Sequence, residues 1–272
     1  MKNEKEIIEL IEYAKKIYIN YLKKNKFPEI QSIENKLNEL KVKFIKGSNA
    51  QAIISSKTKI LSITENFPYN DKTLALKIIF HEFVHYSNSI NYNIVVDFEN
   101  SLLKKFLEEN NVKNEIIKGR YLKFAPYGFL MMDETIAEEI STNIMEQELK
   151  IKSQNKQYKL CSLYEYESNF GGYHIFKPIM KEFCKTLNCE LMDFCKASYG
   201  KQFISILYTK LNSKINGKSS LYLELLSLMG YFTALYYALV SETVKKSKEN
   251  FSKKDTVDSY LKIHKIVNVI IK

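Results

Sequence analysis

The segment Leu74–Tyr86, "LALKIIFHEFVHY", most constrains what this chain can become. Leu74, Ala75, Leu76, Ile78, Ile79, Phe80, Phe83 and Val84 surround a helix here almost completely, and a helix that is apolar all round is buried. Yet the same segment carries His81, Glu82 and His85, and the chain has only four histidines. Two imidazoles and a carboxylate taken into a core need polar partners, because unpaired burial is costly.

The spacing names a partner. Residues four apart on a helix share a face and lie about 6 Å apart along the axis. Two imidazole nitrogens placed so can converge on one metal ion, and zinc accepts neutral histidine nitrogen at about 2.0–2.1 Å in a site of about four ligands. Glu82 projects from the neighbouring flank, within reach of a water in such a site. This is the His-Glu-x-x-His arrangement of zinc metallopeptidases. A catalytic site needs a third protein ligand. The pattern that ends in a third histidine is absent, since Tyr86-Ser87-Asn88-Ser89-Ile90-Asn91 follows His85. A carboxylate is therefore expected, from among Asp97, Glu99, Glu115, Asp133, Glu134, Glu138 and Glu139.

The rest of the chain reads as α+β with helices in the majority. Only 8 Gly and 4 Pro among 272 residues argue against a turn-rich all-β fold. Helical spacing runs through Ile7, Ile8, Ile11, Ala14, Ile17, Tyr18 and Tyr21, up to Pro28, and a second short helix is expected over 29–40. The β-prone runs 42–45, 52–55 and 60–64 predict a small antiparallel sheet. Pro68 and Asn70-Asp71 mark a break and a helix cap before the apolar helix at 72–89. Further helices are expected at 97–109, 131–150, 174–188, 190–199, 219–240 and 255–271, with loops at 119–128 and in the basic stretch 245–254. The expected division is N-terminal helices over 1–45, a metal-binding core over 46–155 and a helical C-terminal subdomain over 156–272.

The formal net charge is +10, but Arg120 is the only arginine and the lysines are dispersed among glutamates. Nucleic-acid readers lean on arginine, so no nucleic-acid role is expected. Cys161, Cys184, Cys189 and Cys195 fit no zinc spacing and read as small side chains buried in helices. No apolar run reaches signal-peptide or membrane-span length, and Glu224 interrupts the nearest approach, at 219–239. The expectation is a soluble cytoplasmic protein, unless another route exports it.

A second stretch, Asp133-Glu134-Thr135-Ile136-Ala137-Glu138-Glu139, resembles the second motif of the gluzincins, the glutamate-type zinc peptidases. In that superfamily a later helix carries E-x-x-A. The extension to E-x-x-A-E, as Glu134 to Glu138 here, is closest in pattern to lethal-factor-type members. The resemblance covers about residues 50–150. It implies a zincin-like core: a small sheet, the histidine helix and a glutamate-bearing helix. It also implies zinc held by His81, His85 and Glu134, Glu82 as general base, and a peptide or protein substrate. Ala137 falls at the small position, where two helices sharing a metal must approach closely. An oxyanion donor is implied at Tyr127, on the loop before the second helix. Tyr173 or His174, after Gly171-Gly172, are rivals for that role. Glu138, one turn beyond Glu134, is expected to hydrogen-bond the far nitrogen of a ligand histidine, with Ser141 or Thr142 behind it. Glu139 is expected to be solvated. The competing expectation is a zinc-binding interaction or regulatory protein without general proteolytic activity.

Overall fold

The computed structural model describes residues 4–48, 50–90, 125–151, 176–203, 206–207, 224–233 and 253–271. In chain order these form α1 (Glu4–Lys24), α2 (Ile30–Asn38), β1 (Lys41–Phe44), β2 (Ala52–Ser55), β3 (Ile60–Ile63), α3 (Lys72–Ser87), α4 (Ala125–Gln147), α5 (Phe176–Thr186), α6 (Leu191–Ala197), a helical stretch at 224–233, and α7 (Lys253–Ile271). The architecture is α+β and mostly helical.

The three strands form one sheet in the order β1-β3-β2. It is mixed, not antiparallel as expected: β2 pairs antiparallel with β3, but β1 runs parallel to it, Val42 opposite Leu61 and Phe44 opposite Ile63. Alternation along a strand sets which face is buried and says nothing of direction. In the central strand Leu61 and Ile63 are fully buried. Gly47, at the turn that leaves β1, has φ +79° and donates its N–H to Glu65 at 2.7 Å.

α3 begins where its sequence signals it. The Asp71 side chain accepts the Leu74 N–H at 3.0 Å and caps the helix. Its apolar girdle is buried as the pattern requires: Ile79, Phe80, Phe83 and Val84 have no exposed surface. α1 lies against it, with Ile11, Ala14, Tyr18 and Leu22 fully buried, and the Tyr18 hydroxyl donates to the Phe83 carbonyl at 3.3 Å. The other principal neighbour of α3 is α4, whose Met131, Met132, Ile136, Ala137, Ile140 and Ile144 are all fully buried.

α4 starts at Ala125, six residues before the expected Met131, so Tyr127 lies in its first turn and not on a loop. Pro126 is tolerated there because the first turn makes no intrahelical N–H bonds. Gly128 permits a close approach: a Cβ at that position would lie 2.7 Å from the Leu226 carbonyl oxygen. α5 packs against α4 and brings Lys177 to Glu139 at 2.6 Å, so Glu139 is ion-paired where a solvated side chain was expected. Cys184 and Cys195 are buried in α5 and α6, while Cys189 is half-buried between these helices. The expected helix at 97–109 and most of the basic stretch 245–254 lie outside the described residues, as does Cys161. Among the described residues no helix is long and apolar enough to cross a membrane.

Candidate metal centre

Three side chains expected to share an ion come together where α3 faces α4. His81 Nε2 and His85 Nε2 are 2.9 Å apart. Glu134 Oε2 lies 3.1 Å from the first and 3.5 Å from the second. The two histidines come from successive turns of α3, and Glu134 from the middle of α4. Four-residue spacing supplies the first pair, and the packing of α4 against α3 brings Glu134 up to it.

This donor set suits a metal ion. A tetrahedral zinc with bonds of about 2.0–2.1 Å would hold its donor atoms about 3.3 Å apart. The three observed separations bracket that value.

The far sides of the rings decide which atoms are lone pairs. His85 Nδ1 lies 2.9 Å from Asp133 Oδ2. A carboxylate there holds the proton on Nδ1 and leaves Nε2 as an acceptor pointing at Glu134. His81 Nδ1 faces Glu138 Oε2 at 3.8 Å, an ionic contact longer than a hydrogen bond. The His81 and His85 Nε2 atoms and a carboxylate oxygen of Glu134 thus converge within about hydrogen-bond distance, an arrangement that a cation favours. Burial alone would lower the His85 pKa, but the Asp133 and Glu134 carboxylates outweigh it and hold it well above its usual value. Burial likewise opposes ionisation of Glu134, and the two imidazoles overcome it, bringing its pKa down to about 2.

Glu82 lies on the flank of the same helix, toward the sheet. The Ile54 N–H of β2 donates to its carboxylate. Burial pushes its pKa up, against the pull of His85 and His81, which makes it a stronger base than a solvated glutamate. Beside it opens a cavity of about 240 Å³ lined by Ala52, Ile53, Ile54 and Ser56 on one side and Glu82, His85, Tyr86 and Asp133 on the other.

Glu138 sits one turn beyond Glu134, as its position implies. Thr142 Oγ1 donates to Glu138 Oε1 at 3.3 Å, while the Ser141 hydroxyl donates to the Ala137 backbone oxygen at 2.5 Å. Tyr127 is in helix α4, but its side chain lies outside the described set, and Tyr173 and His174 lie outside the described residues altogether.

Three contributors were not visible in the sequence as what they are. Asp133 was one of several candidate ligands, and it instead contacts the back of His85. Asn88 ends α3, and its amide donates to Asp133 Oδ1 at 2.7 Å while its own oxygen accepts the Ile90 N–H. Lys77, one turn before His81, places its ammonium 2.8 Å from Glu138 Oε1. The adjacency of Asp133 to Glu134 was the one available signal for the first. A lysine among so many gave none for the last.

The chain matches no protein-family model, no curated protein and no solved structure. Its residues His81, His85 and Glu134 form a group that could hold a metal ion.

Proposed function

We propose that the chain is a zinc-dependent metallopeptidase of gluzincin type, with His81, His85 and Glu134 as metal ligands and Glu82 as general base. The observation that carries this reading is the position of Glu82. It is a buried, proton-attracting carboxylate next to a three-donor cluster, on the wall of a cavity large enough for part of a peptide. A structural metal site has no use for such a fourth group, whereas hydrolysis requires one.

When bound, zinc supplies Lewis acidity, acidifying a water and polarising a carbonyl. Glu82 receives the proton of the attacking water and passes it to the leaving amine, so that one carboxylate serves as base and then as acid. Asp133 keeps the proton of His85 on Nδ1 through both steps. The Ile54 N–H of β2 favours the ionised form of the Glu82 carboxylate at the wall of the cavity. The oxyanion donor is proposed among Tyr127, Tyr173 and His174. Zinc is favoured over other divalent ions by the two imidazoles and one carboxylate. On this reading the mixed sheet, α3 and α4 form a zincin-like core, and the substrate is a peptide or protein.

The test is cleavage of a peptide library by zinc-loaded wild type beside Glu82→Gln. The account expects discrete cleavage sites with wild type, and a rate about 10²–10⁴-fold lower with the variant at full zinc occupancy. Equal behaviour of two zinc-loaded proteins would leave a metal-binding protein without hydrolytic function.

A further inference from the structure

Lys77, His81 and His85 stand at four-residue intervals on α3, so a lysine occupies the ligand-bearing face one turn before the first histidine. Its side chain is 1% exposed. The ammonium donates to Glu138 Oε1 at 2.8 Å, to Ser141 Oγ at 2.7 Å and to Thr142 Oγ1 at 3.0 Å, with the Glu138 backbone oxygen at 3.3 Å. An ammonium has three protons, and three side-chain acceptors from α4 match them.

Joining two helices does not require this. A buried ion pair is often no better than an apolar pair of the same size, because both charges must leave water. The same seam also holds buried apolar side chains, Phe80 and Val84 of α3 among them, so apolar residues are compatible with its surroundings. The charge accomplishes something an apolar pair cannot: it fixes how Glu138 is turned. With Oε1 against Lys77 and Thr142, Oε2 is the oxygen that faces His81 Nδ1. A carboxylate on that side favours the tautomer with its proton on Nδ1, leaving Nε2 to bind an ion. His85 is treated in parallel. Its Nδ1 faces Asp133, which Asn88 holds. Each ligand histidine thus has a carboxylate from α4 behind it, and each carboxylate has an anchor supplied by α3 or by the residue that ends it.

We infer that Lys77 is a positioning residue of the metal centre, acting through Glu138 on His81. This rests on the metal reading proposed above. The experiment uses metal-stripped wild type, Lys77→Met and the double variant Lys77→Met/Glu138→Met. Zinc dissociation constants are measured by competition with a chromophoric chelator, and the stability of each metal-free protein by urea unfolding. Both variants are expected to bind zinc about 10–100-fold more weakly than wild type. The double variant, with an apolar pair in place of the ion pair, is expected to recover any stability lost by Lys77→Met without recovering affinity. If Lys77→Met does not fold, Lys77→Gln takes its place with the same expected loss of affinity, because the double variant also removes Glu138. A folded double variant that binds zinc within about 2-fold of wild type would overturn the inference and reduce Lys77 to a helix clamp. Failure of wild type itself to bind zinc would overturn the metal reading first, and this inference with it.

Discussion

Asp133 Oδ2 stands 2.9 Å from His85 Nδ1, on the opposite side of the ring from Glu134. Adjacent residues on α4 therefore grip one imidazole from both ends. The Asp133→Asn variant keeps the shape but can present an amide N–H to Nδ1, which favours the wrong tautomer. Zinc affinity is expected to fall about 10–100-fold, read by chelator competition. An unchanged dissociation constant would remove Asp133 from the centre.

Proton competition gives the centre a pH signature. A histidine must lose its proton to bind metal, so affinity rises with pH until the metal-free pKa is passed. That pKa is raised well above its usual value at His85, and the rise should continue through neutrality. Glu134, at about 2, is already ionised and adds nothing to the slope there. Displacement of one proton corresponds to about tenfold per pH unit. Titrations at several values from pH 6 to 8 read this directly. An affinity level above pH 6.5 would show that the two carboxylates do not hold the proton on His85.

Gly128 tests the packing that places α4. A Cβ there meets a backbone carbonyl, which cannot rotate aside as a side chain would. Gly128→Ala is expected to cost about 1–3 kcal/mol, seen as a lower urea midpoint. A midpoint equal to wild type would mean that α4 and the 224–233 stretch are not packed as closely as described.

The histidine helix was legible because three local signals coincide: an apolar girdle, an Asp71 cap and a four-residue histidine repeat. The strands were legible as segments, but β1 runs parallel to β3, and pairing direction leaves no trace in alternation. The start of α4 was hidden by Pro126 and Gly128, which read as loop residues. One is harmless in a first turn, and the other is there for Leu226, about a hundred residues away in the chain. Glu134 is singled out in the sequence by its resemblance to a ligand motif, and the fold places it beside His81 and His85. The partners behind the ligands could not be singled out, because Lys77 and Asn88 gain their meaning only from the residues of α4 opposite them.

His81, His85 and Glu134 are expected to hold one metal ion. Metal content by plasma mass spectrometry, on wild type, His81→Ala and Glu134→Ala purified without chelator, tests it most directly. The account predicts about one zinc per chain in wild type and a large loss in both variants. Retention of zinc in Glu134→Ala would move the third ligand to another carboxylate. A wild-type protein that takes up no metal, even when zinc is offered, would contradict the claim outright.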